Sequence, residues 1–138
     1  TIPADEDDLW SCSKLFRRNL LDRFAIIGAT SRAVEIGTYR GLTTLILSHV
    51  FRSVASIEIN STFLHVAKRR IRHWGQPNVQ FMLADTRTEA WWEVVGDADF
   101  LLIDGNHDYD AVRRDMDRGL AHLRSLRWVV FDDYGALP

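Results

Sequence analysis

Five short apolar runs, each carrying an acid at or just past its carboxyl end, constrain this chain more than any other feature. They are AVEI (33–36), VASIEI (54–59), VQFMLA (79–84), DFLLID (99–104) and WVVFDD (128–133). Phe100 to Ile103 and Trp128 to Phe131 are unbroken apolar stretches, the pattern of strands covered on both faces of a parallel sheet. Helical patterns fill the gaps. Ser61 is placed to cap a helix whose Phe63, Ala67, Ile71 and Trp74 share one face, while Lys68, Arg69, Arg70 and Arg72 point away. Val112, Met116, Leu120 and Leu123 make a second stripe, and Leu9, Cys12, Phe16, Leu20 and Phe24 a third, upstream of the first strand. This β-α-β rhythm predicts an α/β fold, a doubly wound parallel sheet with helices on both faces. Ligands of such sheets bind outside the carboxyl ends of the strands. The acids Glu35, Glu58, Asp85, Asp104, Asp132 and Asp133 are therefore expected around one crevice, although any one alone also suits a turn or a helix cap.

The 138 residues suit about one domain, and 46% hydrophobic residues with five Trp and seven Phe supply a core. Residues 1–30 read as an N-terminal helical segment and 31–138 as the ligand-binding α/β domain. Seventeen basic residues against nineteen acidic ones, net charge −2, give no global attraction to nucleic acid or an anionic membrane, so a small-molecule partner is expected. KRRIRHW is basic, but its charges alternate with a core stripe, as on a solvated helix face. A single cysteine, Cys12, excludes an internal disulfide and a cysteine pair for zinc, which fits a reducing compartment; cytoplasm is the expectation. No apolar run reaches the roughly 20 residues of a spanning helix, and TIPADEDDLW lacks the order of a signal peptide.

The stretch VEIGTYRGLTT (34–44) identifies the ligand class. Glycine turns after a first strand often receive phosphate, but Glu35 would repel a pyrophosphate and would suit a cationic amino group. Gly37 and Gly41 lie four apart, with Tyr39 where a dinucleotide fingerprint needs its second glycine. Glu58 can accept from both hydroxyls of a ribose, and Asp85 from the exocyclic amine of adenine. Together these acids outline an aminoacyl nucleoside.

EIGTYRG, with the acid of IEIN and the acid of LADT, resembles the S-adenosylmethionine site of class I methyltransferases over residues 33–135. The tyrosine within the glycine turn resembles the catechol-type O-methyltransferases, and IDGNHDYDAVRRDMD with FDDY resembles a bacterial family of small-molecule methyltransferases. The resemblance implies a Rossmann-like sheet in which Glu35, Gly37 and Gly41 surround the methionine part, Glu58 the ribose and Asp85 the adenine. Thr38, Tyr39, Ile59, Thr86 and Asp104 complete the implied cofactor set. It further implies O-methylation of a small hydroxylated metabolite or sugar-bearing natural product. A domain that binds cofactor without chemistry, or a nucleotide-dependent oxidoreductase, are the alternatives.

Asp104, Asp132 and Asp133 close neighbouring strands, and three crowded carboxylates repel unless protonated or bridged by a cation. Oxygen ligands favour a hard ion, Mg²⁺ first. Catechol-type enzymes hold such a metal with an acid after the fourth strand and an acid-amide pair after the fifth; this chain matches at Asp104 and Asp132, with Asp133 in place of the amide. The alternative is that Asp132 and Asp133 only form a turn. His107, three residues past Asp104, is of the side-chain type best suited to a general base near neutrality, with a structural or metal-adjacent role as the alternative. His49, His65, His73 and His122 fall on helical segments and read as surface or packing residues. The resemblance also implies seven strands in the order 3-2-1-4-5 with an antiparallel pair beside the fifth, whereas the sequence runs out after five. A fragment, a homo-oligomer covering the strand-five edge, or an N-terminal segment lying over it are the three expectations.

Overall fold

A computed structural model describes residues 11–132. Five helices, α1 (Lys14–Gly28), α2 (Leu42–Val50), α3 (Ser61–His73), α4 (Trp91–Val95) and α5 (Tyr109–His122), interleave with five strands. The strands are β1 (Arg32–Ile36), β2 (Ser53–Glu58), β3 (Val79–Leu83), β4 (Phe100–Ile103) and β5 (Trp128–Phe131). All pairings are parallel, in the order β3-β2-β1-β4-β5. The doubly wound sheet expected from the apolar runs is present, and the direction of winding reverses between β1 and β4, where a ligand crevice opens in such sheets.

Strand periodicity sorts the core into two layers. Ala33, Val54, Phe100 and Leu102 pack with Leu20 and Phe24 of α1 and Ile46, Leu47 and Val50 of α2. Val34, Ile36, Ala55, Ile57, Leu101 and Ile103 point the other way, onto Trp91 and Val95 of α4 and Leu123 beyond α5. Alternate side chains of one strand thus feed opposite layers.

Three helix details differ from the pattern-based reading. The cap of α3 is Asn60, not Ser61, because the Asn60 carboxamide oxygen accepts from the N–H groups of Thr62 and Phe63. Its buried stripe is Leu64, Ala67 and Ile71, with Phe63 and Trp74 half-buried. On α5 the buried stripe is Ala111, Asp115 and Gly119, one position ahead of the expected one, and Leu120 is exposed. The reason is close approach: a Cβ on Gly119 would fall 2.3 Å from Cδ2 of Leu101, so α5 rests on β4 through its small residues. Helix α1 begins at Lys14, capped by Ser13, with Cys12 buried just ahead of it. Leu9 lies outside the described residues.

The edge of β5 away from β4 has no strand partner among the described residues. Trp128 there is half exposed, and Phe24 of α1 sets its ring edge-on against it at 5.5 Å. Among the described residues, the N-terminal helix therefore shields the face of β5 and no strand covers its edge. No helix among the described residues is long and apolar enough to cross a membrane.

Candidate active site

The carboxyl ends of the strands border a crevice of about 470 Å³. Its floor is Ile36, Gly37 and Ile57; Glu58, Tyr39, Ile59 and Phe63 form one side, Asp104 to His107 another, and Asp85 to Arg87 with Arg114 and Asp115 the far end.

The glycine turn is held from both sides. Gly37 has φ +99°, and its N–H donates to the Ile57 carbonyl at 2.9 Å. A Cβ there would lie 2.2 Å from the Asp104 carbonyl oxygen, so the β1 and β4 loops touch at a point open only to glycine. Tyr39 also takes a left-handed conformation, φ 47°, which directs its N–H to Glu58 Oε2 at 2.7 Å. Glu58 Oε1 accepts from the Asn60 N–H at 2.9 Å. One carboxylate thus joins the glycine turn to the start of α3. Gly41, left-handed at φ 78°, opens α2, and a Cβ on it would press on Ala67 at 2.8 Å. The Tyr39 ring packs edge-on against Phe63.

Glu35 occupies a different place from the other acids. Strand alternation turns it beneath α2, fully buried, where its Oε2 accepts from Thr44 and Ser56 hydroxyls, each at 2.5 Å, and Oε1 has no partner. Burial, only partly opposed by the two hydroxyls, pushes its carboxyl up to about 8. It does not line the crevice. Thr38, also buried, shares a hydrogen bond with Ser56 at 2.6 Å, and it too supports the turn from behind.

At the far end, the Arg87 guanidinium grips both oxygens of Asp85 at 2.7 to 3.1 Å and holds that carboxyl down at about 2. Thr86 lies next to it, its hydroxyl donating to Asp115 Oδ2 at 3.3 Å. Arg118 donates to the carbonyls of Thr86 and Arg87, fastening this loop to α5. Asp115 is 3% exposed, and its Oδ1 has no hydrogen-bond partner. A buried acceptor left so costs roughly 1–3 kcal/mol.

Asp104 is half-buried at the end of β4, and Asp132 follows β5. Ligand atoms of Asp104, Asp132 and Cys12 lie within 4.8 Å of one another. The Cys12 thiol donates to Asp104 Oδ2 at 3.0 Å; burial first, then the nearby Asp104 and Asp132 carboxylates, raises its pKa far above the ordinary thiol value. Two carboxylates converging here fit a hard cation. Asp133, the third expected ligand, lies outside the described residues. His107 is exposed at the crevice mouth, in the loop where the Asn106 side chain accepts from the Asp108 N–H. The remaining histidines sit on α2, α3 and α5, all exposed and away from the strand ends.

Sequence reading missed Phe63, Arg87, Arg114 and Asp115 on the crevice wall, and Cys12 beside Asp104. Asp115 carried a signal: AVRRDMDRG places Ala111, Asp115 and Gly119 at four-residue spacing, the mark of a closely packed helix face.

A family model described as Methyltransferase domain matches residues 34–134, which contain the glycine turn and every strand end just described. The chain belongs to that family. Protein-L-isoaspartate O-methyltransferase of Nitrobacter winogradskyi is 37% identical to this methyltransferase domain over 59 residues, 43% of this chain and 27% of that protein. The O-methyltransferase from Bacillus cereus in complex with SAH shares the fold, with TM-score 0.71 and 19% identity over 85% of this chain and 55% of that one. The N-terminal domain of EvdMO1 with SAH bound is 28% identical, with TM-score 0.53, covering 63% of this chain and 35% of that one. The same domain in the presence of SAH and D-fucose gives 27% identity and TM-score 0.54 over 74% of this chain and 38% of that one. The chain thus spans about a quarter to about half the length of these relatives.

Proposed function

We propose that this methyltransferase domain binds S-adenosylmethionine across the carboxyl ends of β1 to β4 and serves methyl transfer to an oxygen of a small hydroxylated substrate. One observation carries the reading: Glu58, Asp85 and Asp104 converge on a single crevice around a glycine turn that has an acid, not a phosphate nest, at its back. Support also comes from the EvdMO1 domain, which binds SAH, and whose study with D-fucose makes a sugar-bearing substrate a sensible first class to test.

In the proposed reaction the substrate oxygen attacks the methyl carbon, the carbon–sulfur bond breaks, and the sulfonium becomes a neutral thioether. The hydroxyl proton must leave, and its uptake is assigned to His107, which lines the crevice. Alignment of oxygen, methyl and sulfur supplies much of the rate in such displacements, so the walls matter as much as the base. Glu58 keeps the glycine turn and the start of α3 in register and offers its remaining lone pairs to ribose hydroxyls. Asp104 and Asp132 would hold a divalent cation, Mg²⁺ first, whose charge favours the deprotonated form of a substrate hydroxyl. A metal-free reading has one observation in its favour, the Cys12 thiol already bonded to Asp104 Oδ2.

Isothermal calorimetry tests the cofactor. S-adenosylhomocysteine should bind and NAD should not. Glu58→Ala should weaken S-adenosylhomocysteine about 30- to 100-fold, the worth of hydrogen bonds to a charged group. Unchanged affinity in that variant, or preferential binding of NAD, would remove the reading. Metal assistance is tested separately by titrating Mn²⁺, a Mg²⁺ surrogate, followed by electron paramagnetic resonance. Asp132→Ala should lower Mn²⁺ affinity at least about 10-fold while S-adenosylhomocysteine binding persists; equal Mn²⁺ affinity in the two proteins would favour the metal-free reading.

A further inference from the structure

We propose that Asp115, rather than Asp85, accepts the exocyclic amine of the cofactor's adenine and so decides which purine the crevice admits; this rests on the S-adenosylmethionine reading above. Asp85 is occupied. Both of its oxygens are bound by the Arg87 guanidinium, and Oδ1 also takes the Arg87 N–H at 2.9 Å. Asp115 is the reverse case, a carboxylate nine-tenths buried on the crevice wall with Oδ1 unpartnered. Buried side-chain oxygens are nearly always hydrogen-bonded in folded proteins, and an acceptor kept without a partner beside a ligand crevice is what an arriving N–H donor would complete.

Position agrees with this role. Asp115 is tied through Oδ2 to Thr86, the residue directly after Asp85 at the β3 end, the end opposite Asp104 and the methyl-transfer chemistry. Arg118, one turn further along α5, pins the Thr86 and Arg87 carbonyls, so loop and helix move as one wall. Arg114 lines the same wall, and its Nε–H is also buried without a partner. An open acceptor next to an open donor matches the edge of adenine, which offers an amine donor beside a ring-nitrogen acceptor. Hypoxanthine, with a 6-oxo group, presents an acceptor where adenine presents that donor.

The test compares S-adenosylhomocysteine with S-inosylhomocysteine, its 6-oxo counterpart, by calorimetry on the unchanged protein and on Asp115→Asn and Asp85→Asn. The unchanged protein should prefer the adenine compound by about 10- to 100-fold. Asp115→Asn, whose carboxamide can donate to a 6-oxo group, should lose that preference, while Asp85→Asn keeps it. Retained preference in a folded Asp115→Asn, or its loss in Asp85→Asn instead, overturns the assignment and leaves the cofactor reading intact. Failure of the unchanged protein to bind either compound removes both. Carbon-13 NMR of the Asp115 carboxyl in the unchanged protein decides the matter even if the variant does not fold. Its resonance should shift with the adenine compound and differently with the inosine one, and identical shifts would count against the assignment.

Discussion

Replacing Gly37 with alanine is expected to destabilise the domain by roughly 3–5 kcal/mol and to abolish S-adenosylhomocysteine binding in whatever fraction stays folded. Two costs add. A side chain at φ +99° is strained wherever it sits, and here the new Cβ would also lie 2.2 Å from the Asp104 carbonyl oxygen, 2.5 Å from its carbon and 2.7 Å from the Gly105 nitrogen. All three are backbone atoms, so no side chain can rotate away to relieve the clash. Relief must come from parting the carboxyl ends of β1 and β4, which the Asp104 N–H to Ile36 carbonyl bond at 2.8 Å now holds together. That movement would displace Asp104 and tear the turn from Ile57, opening the crevice at the glycine turn. Urea unfolding monitored by tryptophan fluorescence reads the first effect and calorimetry the second. Gly75→Ala provides the contrast: its φ of +64° is also positive, but a Cβ there would meet nothing within 4 Å, so only the smaller backbone strain remains. Equal losses in the two variants would show that the β1–β4 contact carries no special weight.

The fold was legible because its signal is repeated. Five apolar runs with intervening helical periods admit few arrangements, and right-handed crossovers leave little freedom in their order. The site was legible to the extent that it follows strand ends: Glu58, Asp85 and Asp104 do border one crevice. Glu35 shows where that reasoning stops. Its nearness to the strand's tip suggests a crevice residue, but strand alternation places it on the face of Ala33, opposite Ile36, and Ile36 is the one that floors the crevice. Period two was in the sequence and outranks nearness to the strand end. The contacts of Cys12 and Asp115 were illegible for a different reason, even though the four-residue spacing of Ala111, Asp115 and Gly119 marked the helix face. Each residue meets its partners across a long separation, 92 residues to Asp104 and 29 to Thr86, and no local pattern encodes such a meeting. Asn60 against Ser61 was a local ambiguity, since either can cap a helix, and the geometry of the turn leaving Glu58 chose the asparagine.

Buried beneath α2, Glu35 makes folding stability depend on pH in a direction opposite to that of a salt-bridged acid. Its carboxyl titrates at about 8 in the folded protein against an ordinary 4.5, with burial as the first cause and the charges of Asp104 and Glu58 adding to it. The folded state therefore holds a proton that the unfolded chain releases between those two values. Below about 4.5 both states are protonated and the stabilising contribution is fully present; it is lost as pH rises towards and through 8. The slope in this window is up to about 1.4 kcal/mol per pH unit. Glu35→Gln isolates it, because the carboxamide oxygen still accepts from Thr44 and Ser56 but carries no titrating proton. Unfolding free energies of the two proteins at pH 5, 6.5 and 8 should diverge, with the variant gaining on the original by a few kcal/mol across the series, while contributions from acids not coupled to Glu35 cancel in the difference. A difference that stays flat with pH would mean that Glu35 ionises normally under α2. In that event it would present a full negative charge behind the glycine turn at neutral pH. With its proton retained, Glu35 instead braces Thr44 and Ser56 as a nearly neutral group, and attraction for a cationic cofactor falls to the acids on the crevice wall.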